Sequence, residues 1–254
     1  MREKRKPKMI KNIVTSILFF LSLQLAGCVS SAASLPTYKA DDELVVLAHG
    51  LGRSDWAMWR FAQRLKDAGY KVCSLDYQSI GVSVAEVLTE TSTQIDASIL
   101  NAPKVHFVGH SLGGLVIRAY LQNKTHKLQK AKIGEVVLIG TPNRGSELAG
   151  HLSDSWLMDI GGGISRALVT GTRSLGNNLN ALDVNIGVIA GTKSFGLTNA
   201  NFTGPNDGLV SVESTKLDTM SDFITIEVSH SMMRYNLEVA QQTIHFLQKG
   251  MFKH

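Results

Sequence analysis

The segment Gly109-His110-Ser111-Leu112-Gly113-Gly114 fits the pattern G-x-S-x-G. An apolar run over residues 105–109 leads into it, and a helical pattern follows from Leu112 to about Gln122. A serine at such a junction sits on a sharp strand-to-helix turn that lifts its hydroxyl above a sheet edge. Glycine is needed at 109 and 113 because the chain approaches itself too closely for a side chain. The helix N-terminus favours negative charge developing beside Ser111. These are the requirements of a nucleophile. A serine hydroxyl is weak at neutral pH, so a base must activate it and an acid must orient the base.

On such a turn the partners follow in the chain order serine, acid, histidine. His126, His151, His230, His245 and His254 lie beyond Ser111. His230 comes directly behind the apolar run 223–228, at the carboxyl end of a strand, whereas His245 falls inside a helical pattern and His254 is terminal. Asp207, in Gly204-Pro205-Asn206-Asp207-Gly208-Leu209-Val210, occupies a turn-rich loop after the run 186–190. Asp218 and Asp222 precede a strand, at the opposite sheet edge, and Asp154, Asp159 and Asp183 belong to a long strandless stretch. Position therefore selects Ser111, Asp207 and His230. The negative oxygen of the transition state needs N–H donors, one from Leu112 and a second from the loop His49-Gly50-Leu51-Gly52-Arg53-Ser54, where Leu51 is the donor expected.

The surrounding elements must hold these groups at one end of a sheet. Apolar runs at 44–48, 71–75, 105–109, 134–140, 186–190 and 223–228 read as strands. Helical patterns fall between them at 58–68, 84–100 and 112–122, and a last one runs from Met233 to Lys249. Strands that are apolar throughout and alternate with helices predict an α/β fold with a mostly parallel sheet covered on both faces. Between Pro142 and Asp183 no strand is predicted, and a small helical insertion over one end of the sheet, in the position of a lid, is expected.

Taken together, His49-Gly50-Leu51-Gly52, the stretch 109–114, Gly140-Thr141-Pro142-Asn143-Arg144-Gly145-Ser146, Asn206-Asp207-Gly208-Leu209-Val210 and His230 resemble bacterial lipases of the α/β-hydrolase superfamily over residues 43–249. The resemblance implies that fold and a serine carboxylic-ester hydrolase, a lipase or esterase working through an acyl-enzyme. It also implies Ser111, Asp207 and His230 as catalytic residues, with the Leu51 and Leu112 N–H groups as oxyanion donors. Many lipases of that group hold a structural calcium partly through an aspartate two residues after the catalytic histidine, where this chain has Met232; some carry a disulfide near the acid, where it has no cysteine. Neither calcium nor disulfide is carried over, and no metal or cofactor is expected. The same residues would serve an acyltransferase. A non-catalytic lipid-binding lipoprotein is the alternative outside enzymes.

Other chemistries find no support. Gly50-Leu51-Gly52 begins like a dinucleotide fingerprint, but Asp55 stands where the third glycine belongs. Cys73 lies within a strand and reads as a small buried hydrophobe, and His49, His106 and His110 read as packing residues. The 254 residues include 26 Lys/Arg and 21 Asp/Glu, an excess of positive charge that on count alone suggests a polyanion partner. Six of those basic residues and one acid lie in the first 27 positions, which leaves 20 of each sign in the remainder. The excess belongs to a leader, and no nucleic-acid partner is expected.

That leader has basic residues up to Lys11, then an uncharged apolar run of 14 residues, 13–26. The run is below the roughly 18–20 that span a bilayer and fits a secretory signal peptide. Leu25-Ala26-Gly27-Cys28 resembles the lipobox of bacterial lipoproteins, where cleavage precedes a cysteine that becomes lipidated. The resemblance implies a signal peptide over 1–27, a tether over 28–42 and a hydrolase domain over 43–254, with its insertion at about 143–183. It further implies export and a lipid anchor at Cys28. Val29 after the cysteine favours the outer membrane, with the domain on the periplasmic or surface side and within reach of lipid-like esters.

Overall fold

The computed structural model describes residues 36–124, 133–146, 163, 168, 174–194 and 202–254. Residues 1–35, which include the expected signal peptide and the expected lipidation site Cys28, and most of the expected 143–183 insertion lie outside the described residues. Six strands, β1 (Glu43–Ala48), β2 (Lys71–Ser74), β3 (Lys104–His110), β4 (Ile133–Ile139), β5 (Ile186–Gly191) and β6 (Asp222–Ile226), form one sheet. Its order is β2-β1-β3-β4-β5-β6, and every neighbouring pair is parallel. The six apolar runs of the sequence are these strands, to within a residue or two at each end. The helices are α1 (Trp59–Asp67), α2 (Val84–Ser98), α3 (Leu112–Lys124), the short α4 (Val212–Thr215) and α5 (Leu237–Lys249). Among the described residues no helix is long and apolar enough to cross a membrane.

Alternation along each strand explains why the runs are apolar throughout. Leu44, Val46, Phe107, Val136 and Leu138 face one way and pack on Val87 and Ile95 of α2 and Leu115 and Tyr120 of α3. Val45, Leu47, Val108, Val137 and Ile139 face the other way, against Phe61 and Leu65 of α1 and Val239, Phe246 and Leu247 of α5. Burying one such large side chain contributes about 1.5–3 kcal/mol, so both layers clamp the sheet into a rigid platform. The last helix begins at Leu237, four residues later than its periodicity suggests. Asn236 caps it by accepting from the Val239 N–H at 3.0 Å, while Arg64 ties down the carbonyls of Tyr235 and Asn236 at 3.0 and 2.8 Å.

The strand order creates the place for a site. From β1 the chain steps outward to β2, then crosses back to β3 and proceeds the other way through β4, β5 and β6. At this reversal the loops leaving the carboxyl ends of β1 and β3 diverge and leave a crevice between them. Both loops belong to the motifs singled out in the sequence.

At the opposite end of β3, His106 is fully buried. The Glu135 N–H donates to its Nδ1 at 2.9 Å, so its Nε2–H points to Glu43 Oε2 at 3.1 Å. Burial, and then the Lys104 charge, push its pKa down to about 4, against an ordinary 6.5. The unfolded chain therefore takes up this proton at higher pH than the native state does. Stability is full above about pH 6.5 and is expected to fall by about 3 kcal/mol as pH drops toward 4, then to level off. Urea unfolding at pH 7 and pH 4.5 measures the drop. An equally steep loss in His106→Gln would assign it to other groups.

Candidate active site

Ser111 joins β3 to α3 with φ +57°, a left-handed conformation that is rare for a side-chain-bearing residue and costs about 1–3 kcal/mol. Its surroundings enforce it. The Ser111 N–H donates to the Ile139 carbonyl at 2.9 Å, which carries the β3–β4 ladder into the turn, and the Gly114 N–H closes the turn on the Ser111 carbonyl at 3.0 Å. A Cβ on Gly109 would lie 2.5 Å from the Gly114 backbone, and one on Gly113 would lie 2.3 Å from the Ala48 carbonyl oxygen. The glycine requirement read from the sequence is thus a set of backbone contacts, the second of them across to β1.

Asp207 and His230 come from the loops beyond β5 and β6 and are 2% and 5% exposed. Asp207 Oδ1 accepts from the N–H groups of Leu209 and Val210 at 3.0 and 2.8 Å, and its Oδ2 lies 2.7 Å from His230 Nδ1. The His230 N–H also donates to the Asp207 carbonyl at 2.9 Å. A carboxylate only accepts, so the proton of the neutral imidazole sits on Nδ1 and Nε2 keeps its lone pair. Ser111 and His230 line one cavity of about 240 Å³. The structure therefore brings all three selected residues to one end of the sheet.

Leu51 also lines this cavity. Leu112 is the first residue of α3 and is itself buried. Its N–H belongs to the first helical turn, where no carbonyl of the helix is in position to accept it. Met232 is half exposed, in the turn that follows His230.

Several supporting contacts have no signature in the sequence. The Tyr77 hydroxyl donates to the His49 carbonyl at 2.5 Å, the two rings stack at 4.0 Å, and Ser79 Oγ accepts from the Gly52 N–H at 2.9 Å. Two residues beyond β2 thus fix the loop that holds Leu51. His110 does more than pack. Its Nε2–H donates to the His230 carbonyl at 3.0 Å, and the two rings lie 4.8 Å apart. Burial, together with the neighbouring His230, holds His110 well below the usual imidazole range, so it braces His230 without adding charge. In the 140–146 stretch, Arg144 pairs with Glu213 at 2.7 Å and Asp218 at 2.8 Å, and Asn143 Nδ2 donates to the Thr215 carbonyl at 2.6 Å. Ser146 Oγ donates to the Leu209 carbonyl at 2.7 Å, so this stretch clasps the loop that carries Asp207.

A family model described as the alpha/beta hydrolase family matches residues 45–198. The chain belongs to this family. It is 31% identical over 109 residues to Methylesterase 8 of Arabidopsis thaliana, covering 40% of this chain and 38% of that protein. It is 33% identical over 141 residues to a triacylglycerol lipase of Burkholderia plantarii, covering 49% and 36%. The chain thus spans under two-fifths of the length of these curated relatives. Among solved structures, the mature form of Bacillus licheniformis lipase BlEst2 superposes with a TM-score of 0.68 at 20% identity, covering 85% of this chain and 95% of that one. The last likeness bears on the fold, whose parallel sheet flanked by helices is the one expected from the sequence.

Proposed function

We propose that this member of the alpha/beta hydrolase family is a serine carboxylic-ester hydrolase acting through Ser111, His230 and Asp207. One observation carries the reading: a buried His230–Asp207 pair, with Nε2 left as the basic nitrogen, opens on the same cavity as a serine held in a left-handed turn. Its esterase and lipase relatives support it. In this mechanism Ser111 Oγ attacks the ester carbonyl carbon and its proton passes to His230 Nε2. Asp207 Oδ2 stabilises the imidazolium that forms, and the N–H groups of Leu51 and Leu112 receive the oxyanion. The tetrahedral intermediate collapses as His230 returns the proton to the leaving alcohol, which leaves an acyl group on Ser111. Water, deprotonated by His230, then attacks the acyl carbon, the bond to Ser111 Oγ breaks, and His230 returns the proton to Oγ as the acid leaves. The test is a chain-length series of p-nitrophenyl esters combined with labelling by a fluorophosphonate probe. Turnover with stoichiometric labelling at Ser111 is expected, and labelling elsewhere would overturn the assignment.

The leader supports a place of action. In our reading the mature chain begins at Cys28 and is held at a membrane by acyl chains, with residues 28–42 as a tether. Two or more chains are needed, because each buried CH₂ contributes only about 0.8 kcal/mol and a single chain anchors reversibly. Cys28→Ser is expected to block maturation and to move any processed protein into the soluble fraction. A cleaved variant that stays with membranes as tightly as the unaltered protein would refute the anchor.

A further inference from the structure

The cavity that holds Ser111 has a divided lining. Pro142, Leu168, Leu209 and Val210 make part of it apolar, which suits an acyl chain. Arg53 and Arg234 also line it, and among the described residues no aspartate or glutamate does. Among the described residues neither guanidinium makes a salt bridge.

The two arginines come from segments that the fold joins. Arg53 follows the Leu51 loop and is exposed. Arg234 follows His230 and is 7% exposed. Its Nη1 donates to the Ala57 carbonyl at 3.1 Å and its Nε to the Ser231 carbonyl at 3.2 Å, so it is anchored through neutral main chain. Burial lowers the Arg234 pKa, and the positive charge of Arg53 adds to that fall, which places the two cations within each other's field. Asp55 and Asp76 form no salt bridge with either guanidinium. Asp55 accepts from the Trp56 N–H at 2.7 Å and Asp76 from the Asp55 N–H at 3.5 Å. Two like charges at one cavity, with no ion-pair partner among the described residues, are at their most stable when an anion lies between them.

We infer that the substrate is an acyl ester whose alcohol part carries an anionic oxygen group, phosphate or carboxylate, received by Arg53 and Arg234. The inference rests on the ester-hydrolase reading above and names its substrate class. The alcohol side follows from His230, which must reach the leaving oxygen and stands four residues before Arg234. The acyl chain then lies on the apolar lining. Guanidinium forks match phosphate and carboxylate oxygens in two-point contact, so the pair selects as well as attracts.

The experiment measures kcat/KM for hexanoyl esters below their aggregation limit: glycerol monohexanoate, hexanoyl glycerol phosphate, hexanoyl glycerophosphocholine and the hexanoyl ester of hydroxyacetate. The anionic esters are expected to exceed the neutral one by about 10- to 100-fold, the span of one or two charge-assisted contacts. Phosphate against hydroxyacetate then tells which anion the site prefers. Exposed Arg53 is changed to alanine and to glutamate. The anionic-to-neutral ratio should fall at least several-fold in Arg53→Ala and further in Arg53→Glu, and comparing ratios cancels the intrinsic reactivity of each ester. Equal rates on all four esters, or a ratio that Arg53→Glu leaves unchanged, would overturn the inference while the hydrolase reading stands. Preference seen only on anionic vesicles, and not with monomeric esters, would assign the arginines to surface recruitment and also overturn it. A protein that cleaves none of the esters and takes no fluorophosphonate removes both readings.

Discussion

Ser111→Ala is expected to lower kcat on any cleaved ester by about 10⁶-fold and to abolish fluorophosphonate labelling. The size follows from what the side chain does in the proposed reaction. Without Oγ no acyl-enzyme forms, and the base and oxyanion donors can only assist direct attack by water. The fold should tolerate the change. The turn around residue 111 is held by main-chain bonds to Ile139 and from Gly114, and neither uses the hydroxyl. Thermal unfolding of the variant should therefore stay close to that of the unaltered protein. Labelling that persists at full stoichiometry would mean that another residue is the nucleophile.

Asp207→Asn should cost about 10⁴-fold in kcat with little change in folding. Asp207 Oδ1 accepts from two N–H groups, those of Leu209 and Val210, so the amide oxygen of asparagine must take that position. The amide NH₂ is then forced into the place of Oδ2, facing His230 Nδ1. A donor there requires Nδ1 to be the bare nitrogen, and the proton moves to Nε2. The imidazole would then present a hydrogen where the reaction needs a lone pair. The nitrogen NMR shifts of the His230 ring would reveal this tautomer directly. A variant with kcat within tenfold of the unaltered protein would show that Asp207 is not the orienting acid.

The elements were legible because the sheet is parallel and covered on both faces. Most positions in β1, β3 and β4 that enter the core are apolar, with His106 of β3 the buried exception inside a run, so each strand stands out along the chain. The serine turn was legible for a similarly local reason. Gly109 and Gly113 are dictated by contacts under 3 Å that no side chain could survive, and the residues making the turn adjoin one another in the sequence. Asp207 and His230 could be chosen because chain order and position at strand ends are one-dimensional facts.

Distance between remote residues is not such a fact. Nothing in the spacing of Tyr77 from His49, or of His110 from His230, announces that one holds the main chain of the other. Those bonds exist because loops from different strands converge at the carboxyl edge. Arg144 belongs to a motif of the sequence, but only the fold sets it between Glu213 and Asp218. Arg53 and Arg234 are 181 positions apart and become lining of one cavity only when the turn after β6 docks on Ala57. The layers, the glycine-flanked serine turn and the choice of Asp207 and His230 as its proposed partners follow from local sterics, periodicity or order along the chain. Which groups brace those residues, and that Arg53 and Arg234 line one cavity, depend on how separate loops pack in space.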